Sequence, residues 1–177
     1  MGVRMKYLFI LLLLPIVSKA QTSNEILAGS LTQHLFNPGG NDYNYSNRLN
    51  NNGLIDNPMI GYREVSIKGV SYTSTAYFAG DNSIGAPMAG TAWSAGYTYD
   101  GYRLGVLAGI YIQDTGVMMD RNETPPMFIP YRGIAPCPLV GVEAIKTFKL
   151  SNKTYFILNS VLTPLFINGS IGIGWNI

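Results

Sequence analysis

Three polar residues in this chain have types that could work together on a proton. His34 is the sole histidine and falls near the end of a stretch with strand character. Asp81 and Ser83 share a turn, Phe78-Ala79-Gly80-Asp81-Asn82-Ser83. A histidine can take the proton of an attacking hydroxyl, and a nearby carboxylate can orient its imidazole. A serine hydroxyl or a turn N–H can stabilise the negative charge that then develops. Such a set suits acyl transfer to an alcohol. Each part also has an ordinary reading. A lone histidine is a polar side chain at a strand end, and Asp-Asn-Ser is a common turn sequence. One Cys and one His exclude an internal disulfide framework, a Cys-based zinc cluster and a multi-His metal centre. Cys137 reads as a small apolar packing residue, with nothing around it to activate a thiol.

Bringing His34 to the Asp81 turn requires a scaffold, and the period of the sequence predicts one. From residue 57 onward apolar residues recur every second position, not every 3.6. Leu104, Val106, Ala108, Ile110 and Ile112 fall on one face, and Arg103, Gly105, Leu107, Gly109 and Tyr111 on the other. Thr91, Trp93, Ala95, Tyr97 and Tyr99 oppose Gly90, Ala92, Ser94, Gly96 and Thr98. Ile171, Ile173, Trp175 and Ile177 oppose Gly172, Gly174 and Asn176. A bulky apolar face against a small one suits a narrow barrel with a lipid-facing exterior.

The pattern predicts eight strands, at 30–36, 57–66, 70–79, 86–99, 101–113, 131–149, 153–163 and 168–177. Residues 37–56 and 114–130 connect strands at length and are rich in Asn, Asp, Gly and Pro; 80–85 and 164–167 are of middle length. The connections at 67–69, 100–101 and 150–152 are tight. Longer and shorter connections alternate, the habit of outer-membrane barrels. The predicted fold is therefore an all-β, eight-stranded antiparallel up-and-down transmembrane barrel. In such a barrel the ends of strands one and three share a rim, so His34 and the Asp81–Ser83 turn can approach each other there.

Composition and targeting agree with that fold. Of the 177 residues only 12% are charged, with a net charge of +2. This excludes a basic nucleic-acid binder, a charged disordered tail and a highly charged helical bundle. Arg4 and Lys6, an eleven-residue apolar run from Tyr7 to Val17, and Ser18-Lys19-Ala20 predict a secretory signal over 1–20. Its loss would leave one domain of 157 residues, 21–177, with a net charge of −1. Gln21 rather than Cys follows the expected cut, so no lipid anchor is implied. The predicted location is the bacterial outer membrane. An exported soluble carrier of an apolar ligand shares the strand count and stays open as a reading.

The segments Phe78-Ala79-Gly80-Asp81-Asn82-Ser83, Pro87-Met88-Ala89-Gly90-Thr91-Ala92-Trp93 and Arg103-Leu104-Gly105-Val106, with Asn57-Pro58-Met59-Ile60-Gly61-Tyr62 and His34 upstream and Pro138-Leu139 and Pro164 downstream, stand in an order that resembles the lipid A palmitoyltransferase family. The resemblance implies an outer-membrane barrel that moves a fatty acyl chain from a glycerophospholipid to lipid A without a cofactor. Its partners would be phospholipid, lipid A and the bilayer, with no nucleic acid, and it would be a monomer. His34 matches the family's essential His at the external rim. The family's adjacent Asp and Ser match either Asp81 and Ser83, split by Asn82, or Asn82 and Ser83. Gly90 and Ala92 fall on the acyl-chain pocket, where Ala92 replaces a floor glycine and would favour a slightly shorter chain. Pro138 and Pro164 match prolines that flank a lateral opening between strands six and seven. Gln21 to Gln33 leaves little room for the family's amphipathic N-terminal helix, which implies a short, divergent member, as in phages or small genomes. The alternative on the same fold is a non-enzymatic barrel that modifies the cell surface or binds a partner through its external loops.

Overall fold

A computed structural model describes residues 20–35, 54–56, 58–81, 87–114 and 134–177. Nine stretches of strand run in chain order: β1 Gln21–His34, β2 Leu54–Asp56, β3 Met59–Lys68, β4 Ser71–Asp81, β5 Pro87–Tyr99, β6 Tyr102–Asp114, β7 Ile134–Lys149, β8 Thr154–Leu162 and β9 Phe166–Asn176. Each pairs antiparallel with its neighbours, and β1 pairs with β9, so the sheet closes. β2 and β3 both lie along β1, β2 against Leu31–Gln33 and β3 against Gln21–Ala28. They fill one position in the wall, and the barrel has eight strands, as predicted.

The first strand starts earlier than the sequence pattern suggested. Gln21–Gln33 is not a remnant preceding a strand at residue 30. It is most of β1, paired on both sides. Its inward residues are Ser23, Glu25 and Leu27 and its outward ones include Asn24. Polar side chains on both faces hide the period of two. Across from β9 the register slips between Ala28 and Leu31. Gly29 sits there with φ +67°, a left-handed conformation that glycine adopts without a Cβ penalty. Pro58, which has no N–H to give, marks the matching break between β2 and β3.

The tight turns follow residue chemistry. Asp100 and Gly101 both have positive φ, 47° and 73°, the pair of values that a two-residue hairpin turn of matching twist demands. A row of register partners shows how the wall winds. It leaves β1 at Thr22, passes Ser66, Thr73, Ala95, Val106, Val142, Leu162 and Ile167, and returns to β1 at Gln33. That climb, less one residue for the bulge, corresponds to strands tilted about 40° from the barrel axis.

The two faces separate as the alternation predicted. Leu104, Val106, Ile110 and Ile112 are exposed on β6, while Arg103 and Leu107 are buried between them. Val140 and Val142, Leu158 and Leu162, and Ile171 and Ile173 extend the apolar exterior over β7, β8 and β9. A soluble carrier of this strand count turns its apolar face inward; here it faces out. Tyr97, Tyr99, Tyr102 and Phe148 are exposed near the end with the tight turns, where an aromatic girdle meets a membrane surface. The N-terminus of β1 and the C-terminus of β9 lie at that same end, called lower below.

Candidate functional site

The lower half of the lumen is filled by charge. Glu25 of β1, Arg63 of β3, Arg103 of β6 and Glu143 of β7 are all buried. Arg63 donates from Nε to Glu25 at 2.6 Å and from Nη1 to Glu143 and to Asn159 Oδ1, each at 3.4 Å. Arg103 donates to the other oxygen of Glu25, and Tyr155 donates to Glu25 at 2.8 Å. Glu143 also accepts from Tyr72 at 2.8 Å and from Ser94, whose hydroxyl shares a hydrogen bond with Ser74 at 2.6 Å. Two guanidiniums and two carboxylates thus neutralise each other within a shell of hydroxyls and an amide. Charges removed from water are tolerable only when paired and hydrogen-bonded in this way. Leu27, Ile145 and Ile157 pack together as an apolar layer in the same region. The arrangement fills this level of the lumen with buried, paired side chains.

Sequence reasoning did not find this cluster as a unit. Alternation did place Arg103 on the small, inward face. Its partners come from strands far away in sequence, and only the pairing register brings them to a common level.

The upper lumen is lined by smaller residues. Ala92 is buried, and Gly90 lies on the same face of β5. Leu107 and Cys137 are buried nearby on β6 and β7, with Gln113 donating to Cys137 Sγ at 3.4 Å. Next to this region the wall has a seam. β6 pairs with β7 over its whole length, from Asp114 against Ile134 to Tyr102 against Lys146. The β7 ladder with β8 reaches upward only to Val142 against Leu162. Among the described residues, no strand continues that ladder above Val142. The Thr147 N–H points to Gly101, on the β6 side. By the period of two, even-numbered residues of β7 direct their nitrogens to the other side. Pro136 and Pro138 are even-numbered, so two of the four nitrogens that face that way, at 134, 136, 138 and 140, carry no hydrogen. Pro164 lies just beyond the top of β8, exposed, in a turn held by Thr163, whose Oγ1 accepts from the N–H groups of Leu165 and Phe166 at 3.2 and 3.0 Å. Pro138 and Pro164 thus both border the point where the β7–β8 ladder stops.

His34 ends β1 at the upper rim, its backbone opposite Phe166 of β9. Asp81 ends β4 at the same rim, and its N–H donates to the Pro58 carbonyl at 3.0 Å. β2 and β3 stand between those two strands, so the strand ends are two strand spacings, about 10 Å, apart across the sheet, and His34, beyond the Gln33–Leu54 pair, also lies several residues along the strand from Asp81 opposite Pro58. Ser83 and Asn82 lie outside the described residues, as does the expected signal apart from Ala20. Among the described residues no group of three or more His, Cys, Asp or Glu could hold a metal ion.

No family model and no curated protein matches this chain. Solved structures align with it along most of its length. The attachment invasion locus protein Ail of Yersinia pestis, solved with a heparin analogue, is 8% identical, with a TM-score of 0.49 over 90% of this chain and 100% of that one. Neisserial surface protein A is 8% identical, with a TM-score of 0.48 over 90% and 99%. The N-terminal barrel domain of Pseudomonas aeruginosa OprF is 13% identical, with a TM-score of 0.46 over 90% and 100%. The assignment of this chain rests on its own wall: a closed antiparallel barrel with an apolar exterior, a lower aromatic girdle and tight turns at the girdled end is a transmembrane β-barrel of the bacterial outer membrane.

Proposed function

We propose that this chain acts at the cell surface without catalysis, as a sealed anchor whose upper connections bind a partner or mask a surface receptor. The observation that carries this reading is the filled lumen combined with the placement of the long connections. Ion pairs close the lower half, so transport through the barrel is not its task. The two longest connections between strands, 35–53 and 115–133, both leave from the upper end. A barrel of this kind exposes its longer loops to the outside. The decisive comparison is between cells expressing the full chain and cells expressing a variant with residues 37–52 and 116–132 replaced by Gly-Ser linkers. Heat-modifiable gel mobility reports whether both barrels fold. The expected result is that phage adsorption or cell adhesion changes with the full chain and reverts with the variant, while lipid A keeps its mass. Equal surface behaviour of the two folded chains refutes the reading.

A second reading is favoured by the seam. In this reading the chain transfers an acyl chain from a phospholipid to lipid A, with His34 as general base, Asp81 orienting it and Ser83 as polar support. The end of the β7–β8 ladder at Val142, with two N–H donors removed above it by Pro136 and Pro138, supports sideways entry of a lipid tail toward Gly90 and Ala92. Mass spectrometry of lipid A would then show one added acyl chain, lost in His34→Ala. An addition that survives His34→Ala removes the catalytic assignment.

A further inference from the structure

The exterior is not apolar all the way round. On β6 to β9 the outward side chains include Leu104, Val106, Val140, Leu158 and Ile171. On the lower part of β1, β3 and β4 they are Asn24, Glu64, Ser66, Thr73 and Thr75. Alternation fixes their direction, because the intervening Glu25, Arg63, Val65, Tyr72 and Ser74 are buried. The register gathers them into one patch. Asn24, Glu64 and Thr75 are successive partners in one row, and Thr22, Ser66 and Thr73 in the next. Glu64 is exposed. The Tyr62 hydroxyl donates to it at 3.3 Å, and no cation pairs with it among the described residues.

Depth sets what this patch costs in lipid. Glu64 lies four residues above Lys68, the lower end of β3, which at this tilt is about 10 Å. Its rung runs through Thr75 to Trp93, four residues above Tyr97, so it sits just above the aromatic girdle, at the lower margin of an apolar band roughly 25 Å tall. Hydrocarbon offers neither a donor to a carboxylate nor an acceptor to a hydroxyl, so each group left facing it carries a desolvation cost.

We propose that this face is an interface with a second copy of the chain, related by a two-fold axis along the membrane normal. The patch is complementary to itself. Glu64 and the Asn24 carbonyl accept, while the Asn24 amide and the hydroxyls of Ser66, Thr73 and Thr75 donate. Turned against its copy, each side presents the donors that the other side's carboxylate lacks. An isologous contact requires a surface of that kind. On the rest of the described wall the outward residues are mostly aliphatic and aromatic, and isolated polar ones such as Ser160 on β8 form no comparable patch. The inference stands apart from either functional reading and replaces the monomer expected from the family resemblance.

The test uses the full chain in outer membranes, in a Cys137→Ser background. Single cysteines are placed in turn at Asn24, Ser66 and Thr75, with Val106→Cys on the apolar wall as the reference. Each is bridged with a short bis-maleimide and scored on a denaturing gel after heat-modifiable mobility has shown folding. The expected result is a band of twice the chain mass, several-fold stronger for at least one patch position than for Val106→Cys, and falling several-fold when Glu64→Leu is added. Equal bands at patch and reference positions, or a dimer band undiminished by Glu64→Leu, overturns the proposal. So does a band whose mass is not twice that of the chain, which assigns the face to another protein.

Discussion

Glu143 illustrates how much of this barrel rests on single side chains. It is buried and accepts from Tyr72, Ser94 and Arg63. Glu143→Leu removes the acceptor for all three and leaves Arg63 with a charge that Glu25 must also share with Arg103. Breaking a buried pair by deleting one partner costs about 3–5 kcal/mol, whereas replacing both partners by apolar groups is often neutral. Urea unfolding of the folded barrel, followed by the fluorescence of Trp93 and Trp175, is expected to show that loss for Glu143→Leu. The double variant Arg63→Met/Glu143→Leu is expected to recover most of it, because Glu25 keeps Arg103. Additive losses in the double variant would mean that the four charges do not act as one network. The inward direction of Arg103 was readable, since it sits among Gly105, Leu107 and Gly109 on the small face of its strand. Its partnership with Glu25 was not. A period of two says which face a residue occupies, while the level it reaches depends on the stagger of all eight strands.

Strands are the scale at which proline placement acquires meaning. Pro136 and Pro138 occupy positions of β7 whose nitrogens point to an edge that β8 does not cover. A donor restored there meets no strand among the described residues, so Pro138→Ala is expected to change stability by less than about 0.5 kcal/mol, within the range of substitutions that break no contact. Ala144 has the same parity but lies inside the ladder, opposite Ser160. Ala144→Pro removes a hydrogen bond in a continuous strand, and a loss of about 1–3 kcal/mol follows from the stranded acceptor alone. Equal losses for the two variants, measured by the same unfolding experiment, would deny the seam. Most strands were legible because their outward faces carry large apolar residues against glycine, alanine or serine. β1 was legible only at its upper end. Asn24 faces out and Glu25 faces in, so neither face reads as apolar until Ile26 and Leu27, and the bulge at Gly29 then shifts the phase for Leu31 and Thr32. The same polar exterior that hid β1 from the sequence pattern is the feature that marks it as part of a covered face.

At the scale of the molecule, the order of strands fixes which groups look outward from the cell. Both ends of the described chain, the aromatic girdle of Tyr97, Tyr99, Tyr102 and Phe148, and the tight turns at 69–70, 100–101 and 150–153 lie at one end. The turn from Thr163 to Leu165 and the departures of the long connections lie at the other. Short turns face the periplasm in barrels of this class, so the upper rim, with the backbones of His34 and Asp81, is external. The alternation of long and short connections made this polarity legible before any coordinate. The sealing of the lumen was not, because the sequence pattern pointed to an interior of little side chains rather than one plugged by arginine and glutamate. The orientation can be checked without a ligand. In a Cys137→Ser background, Leu165→Cys at the upper turn, where the leucine is exposed, is expected to react with a membrane-impermeant maleimide on intact cells. Ser151→Cys, exposed at the lower turn, is expected to react only after the outer membrane is permeabilised. Because the ion-paired plug blocks the axial route, reagent added outside should not reach Ser151→Cys through the barrel itself. Labelling of Ser151→Cys on intact cells at the rate of Leu165→Cys would mean either an inverted barrel or an open lumen. Glu143→Leu/Arg63→Met separates those two causes: an open lumen would label faster in that variant, and an inverted barrel would not.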